Sequence, residues 1–299
     1  MSKIALVTDS TCDLAEADRA KYVTAVVPLH VWSGGVSYLD RVDFDSAQFY
    51  RLFREAGQAA QSSQPSVGEF VNVYKALLDD YDAVLSVHIS GRLSGTVQTA
   101  ELAADSVDPA RVRVVDSRHV SVGVGLVVQA AGEAILAGKT LDEAVAAAKA
   151  AAGETRVYGA LPALDAAVKG GRLSARAAKL AGLIELKPLI VFDEEGGVHT
   201  DGARLGYYRA LRAVADRVAR FAAGEPARIA IVHADGLEAA EYTRERLRRL
   251  LGDQDIPIVD AGAVITTHVG LGTVSVGVQR IKLPAAAGPA ATAADEGAA

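Results

Sequence analysis

The sequence predicts an α/β protein of two domains: an N-terminal parallel sheet with helices on both faces, then a C-terminal α/β domain with a mixed or antiparallel sheet. Three observations predict it. Up to residue 153, short Val- and Ile-rich runs alternate with amphipathic, often alanine-rich segments, the rhythm of a parallel sheet covered on both sides. After Gly153, hairpin-type turns mix with crossovers. The chain has 299 residues, 50% of them hydrophobic, enough for two separate cores. The expected boundaries are 1–153 and 154–284, and the Ala-, Gly- and Pro-rich residues 285–299 are expected to form a disordered tail. No internal repeat is apparent.

Each element has its own local signal. Ile4-Ala5-Leu6-Val7-Thr8 reads as a strand ending at Asp9-Ser10-Thr11. Strands follow at 23–29 and 31–38, the second broken by Gly34-Gly35 as a hairpin turn would break it. Asp45 and Ser66 each stand three residues before Gln48 and Glu69, a capping-box spacing that opens a helix. The run 83–89 is a buried strand, 97–104 a helix and 112–117 a strand. Two alanine-rich helices near 121–137 and 140–152 close the first domain, the second opened by the box Thr140-Leu141-Asp142-Glu143. In the second half, a strand at 156–161 leads into a helix to Val168 and a sharp turn, Lys169-Gly170-Gly171-Arg172. Strands at 187–192 and 198–203 flank Glu194-Glu195-Gly196-Gly197 as a hairpin. A basic helix near 208–222, a strand at 228–233, a helix to Leu251 and strands at 257–259 and 273–280 complete the pattern.

Composition removes several function classes. The net charge of −6 and the lack of a Lys/Arg stripe with interleaved aromatics argue against a nucleic-acid surface. One cysteine, Cys12, rules out an internal disulfide or a multi-cysteine metal site. His30, His88, His119, His199 and His233 show no metal-ligand spacing. The N-terminus runs straight into a strand, and no apolar run approaches the ~20 residues of a membrane span, so a soluble cytoplasmic protein is expected.

The richest motif is Ser90-Gly91-Arg92-Leu93-Ser94-Gly95-Thr96, a glycine-bearing turn between a strand and a helix. Such a turn offers backbone N–H groups at a helix start, and the hydroxyls of Ser94 and Thr96 add to an anion site. No lysine stands where a nucleotide loop needs one, so the turn suits a carboxylate better than a polyphosphate. Similar hydroxyl-rich turns end other strands: Asp9-Ser10-Thr11, Ser62-Ser63-Gln64-Pro65-Ser66 and Asp116-Ser117. Ligands in open α/β sheets bind beyond the carboxyl ends of strands, where such turns converge, although each alone is equally explained as a cap or turn. His268, in a glycine-bearing loop of the second domain, is either a ligand contact or a structural hydrogen-bonder. Arg172 can pair with a carboxylate or phosphate, or sit solvated in its turn. Cys12, near a helix start, is either activated there or a buried inert thiol.

Taken together and in order, these motifs resemble the DegV family over the whole chain except the C-terminal tail. The segments that carry the resemblance are Val7-Thr8-Asp9-Ser10-Thr11-Cys12-Asp13-Leu14, Ser62-Ser63-Gln64-Pro65-Ser66, Leu93-Ser94-Gly95-Thr96, Val115-Asp116-Ser117, Lys169-Gly170-Gly171-Arg172 and Thr267-His268-Val269-Gly270. The resemblance implies a two-domain α/β protein that binds a long-chain fatty acid between or within its domains. It implies the fatty-acid-binding subunit of a bacterial fatty-acid kinase, which carries the acyl chain while a separate ATP-dependent kinase phosphorylates its carboxylate for phospholipid synthesis. By position, Ser94, Gly95 and Thr96 would hold the carboxylate, Ser62 or Ser63 would supply another hydroxyl, and His268 and Arg172 would complete the head site. No catalytic residue, metal or cofactor is implied. The family usually has Thr at the position of Ser62, which leaves open which of the two serines bonds the ligand, and Leu271 stands where Pro is common.

Two other classes compete with the lipid carrier. A hydrolase or phosphatase would use Ser94 or Asp9, but no G-x-S-x-G elbow surrounds Ser94. A lipid-sensing regulator would bind the same ligand and pass nothing on.

Overall fold

The computed structural model describes residues 2–57, 60–163 and 186–281. Its first sheet is parallel throughout, in the order β2 (Ala25–Val27), β1 (Ile4–Asp9), β6 (Ala83–His88), β7 (Val112–Asp116). β1 and β6 are buried at every residue, because side chains alternate between two covered faces. Ile4, Leu6, Leu85 and Val87 pack on helices α5 (Val122–Leu136) and α6 (Leu141–Gly153). Ala5, Val7 and Val84 pack on α3 (Val67–Leu78) and α4 (Thr96–Val107). Asp45, Ser66 and Thr140 all close the capping boxes that their spacing predicts, at the starts of α2 (Ser46–Glu55), α3 and α6.

A small antiparallel sheet, β4 (Val36–Leu39), β3 (His30–Ser33), β5 (Gln61–Ser63), grows from the predicted hairpin. Gly34 and Gly35 turn it with φ of +59° and +81°, the left-handed pair that a tight two-residue hairpin requires. β5 has only polar residues and no apolar alternation, so sequence pattern misses it; its pairing to β3 defines it. The short helix α1 (Glu16–Tyr22) begins four residues after Cys12, beyond the helix start expected there.

The second large sheet is mixed, as predicted: β10 (Val198–Leu205), β9 (Leu186–Phe192), β8 (Thr155–Ala160), β13 (Val274–Arg280), β11 (Ala227–His233), β12 (Ile258–Asp260). All its pairings are antiparallel except β11 with β12. Helices α7 (Tyr207–Ala222) and α8 (Leu237–Leu251) cover one face through Val214, Val218 and Leu247. The other face meets α5, which is predominantly apolar and lies between the two large sheets. The contact is close at Gly277 of β13, where a Cβ would stand 3.1 Å from both Leu126 Cδ1 and Val122 Cγ2.

Leu29, just before β3, with Val31 of the small sheet and Phe49 and Phe53 of α2, shares a core with Val232, Ala234 and Val264. Val264 belongs to α9 (Ala263–Val269), which corrects the expectation that His268 sits in a loop. The flanking glycines, Gly262 and Gly270, are the ends of this helix, and its apolar residues are buried by the small sheet and α2. The helix expected before Val168, the turn with Arg172 and the tail at 285–299 lie outside the described residues. Among the described residues, no helix is long and apolar enough to cross a membrane.

Candidate functional site

The parallel sheet delivers the chain from β6 into the turn that carries Ser94. Ser90 O accepts the N–H groups of Leu93 (3.0 Å) and Ser94 (3.1 Å), which closes the turn. The Ser90 hydroxyl donates to Gly196 O at 2.8 Å and ties it to the β9–β10 hairpin. α4 starts immediately after, with Gly95 at its N-cap and no side-chain cap. The Ser94 hydroxyl lies at this helix start, 2.8 Å from Thr96 Oγ1 and 3.4 Å from the Thr96 N–H. The partial positive charge of a helix N-terminus favours an anion there.

Two further segments converge on this turn. β5 presents Ser62, whose Oγ is 2.7 Å from His268 Nε2 in the last turn of α9, across 206 residues of sequence. Gln64, next along the chain from β5, lies directly over Gly95: a Cβ on Gly95 would be 2.5 Å from Gln64 Nε2. Glycine is needed here for side-chain room, since its φ of −72° suits any residue. Gln64 is part of the predicted motif but was not among the expected ligand contacts; a glycine facing a long amide was its only signal.

Ser62, Ser63, Gln64, Ser94 and His268 together line one cavity. Ser63 and Gln64 are exposed and Ser62, Ser94 and His268 half-buried, so this polar group forms the mouth. The wall behind it is buried and mostly apolar, with Ile89, Val157, Leu161, Ile190 and Val264 among its residues and Ser121, His233, Thr273 and Ser275 as its polar members. No Asp, Glu, Lys or Arg lines the cavity among the described residues. The non-atom space within its lining, open solvent at the mouth included, is about 1050 Å³. Of the expected site residues, the wall takes Ser62, Ser63, Ser94 and His268. Gly95 lies under Gln64, and Thr96 is fully buried behind Ser94. Arg172 lies outside the described residues. No group of three or more His, Cys, Asp or Glu is placed to hold a metal among the described residues.

The DegV family model matches residues 3–280. The chain belongs to the DegV family. It is 36% identical over 280 residues to a DegV domain-containing protein of Deinococcus radiodurans, covering 92% of this chain and 98% of that one. Among solved structures, a fatty-acid-binding DegV family protein of Thermus thermophilus matches with a TM-score of 0.85 at 33% identity, over 93% of this chain and all (100%) of that one. A DegV lipid-binding protein of Thermotoga maritima matches equally well, with a TM-score of 0.85 at 31% identity, over 94% of this chain and 99% of that one. The fatty acid kinase B3 protein of Streptococcus pneumoniae, solved with linoleic acid, shares the fold at a TM-score of 0.82 and 22% identity, over 93% of this chain and 100% of its own.

Two buried polar clusters support the site of this DegV chain from behind, and the sequence alone did not reveal either. In the first, Asp9 Oδ2 is 3.0 Å from His88 Nδ1, and His88 Nε2 is 2.7 Å from Ser86 Oγ, which also accepts the Tyr74 hydroxyl at 2.9 Å. Asp, His and Ser in line resemble a nucleophilic triad, but all three are fully buried, so no substrate reaches Ser86. Burial alone would raise the Asp9 carboxyl; hydrogen bonding and attraction from His88, with the Thr11 hydroxyl and the Ile89 N–H, hold it below the usual carboxylate range. The Asp9–Ile89 bond, at 3.0 Å, fixes the chain where β6 turns toward Ser94. Cys12, beside this cluster, is buried, and burial together with the Asp9 charge pushes its thiol up, so the activated-thiol alternative fails.

The second cluster anchors α9. Asp13 Oδ1 accepts from Arg41 and, at 3.2 Å, from the Gly262 N–H, while Asp13 Oδ2 accepts from the Ser121 hydroxyl. Asp40 Oδ1 accepts the Ala263 N–H at 2.9 Å. Burial raises the Asp40 carboxyl to about 6, against the pull of Arg41. Both carboxylates thus sit at the start of the helix whose other end carries His268.

Proposed function

We propose that this DegV protein binds a long-chain fatty acid, with its carboxylate at the mouth formed by Ser94, Ser62 and His268 and its hydrocarbon in the cavity behind. It presents that carboxylate to a separate ATP-dependent fatty-acid kinase, which forms the acyl phosphate; the protein performs no chemistry of its own. The observation that carries this reading is the division of one cavity into a hydrogen-bonding mouth and a buried, mostly apolar interior. The names of the Thermus and Thermotoga relatives, a fatty-acid-binding and a lipid-binding DegV protein, support it.

The energetics fit. Burying about 14 methylenes at roughly 0.8 kcal/mol each gains about 11 kcal/mol gross, of which ordering the flexible chain takes back a sizeable part. A carboxylate leaving water costs several kcal/mol unless hydrogen-bonded. The Ser94 hydroxyl, the α4 start and the Ser62 hydroxyl, which is free to donate when His268 Nε2 donates to its oxygen, meet that need. Because these donors are hydroxyls and a helix start at an open mouth, the carboxylate stays within reach of a partner that brings the phosphoryl group. Gly95 and Thr96 act behind the mouth, by admitting Gln64 and by orienting Ser94.

Native mass spectrometry of the purified protein, followed by lipid analysis after denaturation, tests the ligand. A bound mass equal to a long-chain fatty acid is expected; protein free of lipid that also fails to take up added fatty acid refutes the reading. A hydrolase would share the Ser62–His268 contact, so turnover of model esters is measured in parallel, and none is expected. Reconstitution with the kinase and ATP should yield acyl phosphate. A lipid sensor would yield none.

A further inference from the structure

β13 shows Val274, Val276 and Val278 to the core under α7 and α8, so its opposite face carries Ser275, Gly277 and Gln279. Two of these three have structural work. Gln279 Nε2 donates to Leu126 O at 3.3 Å and to Thr155 Oγ1 at 3.0 Å. Gly277 admits Val122 and Leu126 of α5. Thr273, at the start of this stretch, donates to Val269 O at 2.9 Å and so lies beside the end of α9. Ser275 has no such role. It is only 8% exposed, it lines the cavity, and its hydroxyl makes no hydrogen bond among the described residues. Its strand partners are Gly159 and Val232. A Cβ on Gly159 would lie 2.6 Å from Ser275 Oγ and 2.9 Å from Ile190 Cγ1, so the hydroxyl leans over a position that glycine keeps clear.

The place of Ser275 along the cavity follows from the strand. Thr273 adjoins the α9 end that bears His268, Ser275 is two residues further, roughly 7 Å, and at Gly277 the wall is closed by α5. Ser275 therefore faces the acyl chain and not the carboxylate. A plain hydrocarbon there would leave a buried hydroxyl unpaired, whereas an oxygen on the chain would pair both groups at once.

We propose that Ser275 is a hydrogen-bonding subsite for an oxygen substituent on the acyl chain, so that the preferred ligands are hydroxy- or oxo-substituted long-chain fatty acids. This rests on the fatty-acid reading above. Sites that hydrogen-bond a ligand hydroxyl discriminate against the analogue lacking it. Ser275→Ala keeps the room and removes only the partner, which separates a hydrogen-bonding role from a merely small side chain.

The test measures the affinity of delipidated full-length protein for octadecanoic acid and for hydroxyoctadecanoic acids substituted near the carboxylate, at mid-chain and at the far end. In the wild type, one substituted isomer should bind more tightly than the plain acid. In Ser275→Ala that preference should shrink about five- to tenfold, with the plain acid bound as well or better. A wild type with no isomer preferred, or a preference that Ser275→Ala leaves unchanged, overturns the proposal while the fatty-acid reading stands. A wild type that binds neither kind of acid overturns that reading, and this proposal with it. The wild-type isomer series decides the matter even if the variant does not fold.

Discussion

Replacing Asp40 by Asn should make the protein more stable at neutral pH, not less. Asp40 is buried to 1% exposure, and its carboxyl is raised from 3.8 to about 6, with burial the main cause and Arg41 opposing it. The folded state therefore holds this proton more tightly than the unfolded chain does. The stability it contributes is fully present below pH 3.8 and is lost as pH rises through about 6. A shift of about 2 pH units at 1.36 kcal/mol each makes the loss about 3 kcal/mol. Asn is neutral at every pH and can keep the acceptor that bonds the Ala263 N–H, so Asp40→Asn should recover about 3 kcal/mol at pH 7 and change little below pH 4. Urea denaturation of both proteins across pH 4 to 8 measures this. The reasoning fails if Asp40→Asn is less stable than wild type at pH 7, or if the gap between the two does not widen with pH. Since Asp40 holds the start of α9, the variant also tests whether its charge is needed to place His268: fatty-acid affinity should be unchanged.

Three other substitutions probe the site. In the proposed binding mode Ser94→Ala removes a hydrogen bond to the carboxylate, worth about 1.5–3 kcal/mol when the partner is charged, so displacement of a fluorescent fatty acid should show roughly ten- to hundredfold weaker binding; wild-type affinity would remove Ser94 from the head site. Gly95→Ala forces Gln64 away from the turn, and thermal melts should stay close to wild type while fatty-acid affinity falls; equal affinity would show that Gln64 has no part in the mouth. Asp9→Ala strips the buried His88 of its carboxylate and should destabilise the fold by about 3–5 kcal/mol, read by urea denaturation, and a loss below about 1 kcal/mol would mean that the Asp9–His88 pair does not hold the β6 turn.

The legibility of the chain varied with the range of the signal. The parallel sheet, the three capping boxes and the Gly34-Gly35 hairpin are written in neighbouring residues, through side-chain period and backbone preference, and all appear where expected. β5 was invisible because Gln61, Ser62 and Ser63 carry no apolar period; pairing with β3 alone makes them a strand. In sequence His268 looks like a loop residue because Gly262 and Gly270 bracket a segment too short to show a helical period. The triad-like line of Asp9, His88 and Ser86 was equally hidden, since two adjacent strands bring it together.

By itself, the sequence determined the α/β class, the strand-to-helix turn that carries Ser94, and the family to which the chain belongs. Each of these depends on residues close along the chain, where propensity, capping and spacing act directly. Tertiary structure alone decided that Ser62 meets His268, that Gln64 closes over Gly95, and that Ser275 faces a cavity and not a neighbour. Those contacts join segments up to 206 residues apart. They exist because three sheets share α5 and α9 in their packing, and local periodicity carries no record of which distant faces will meet.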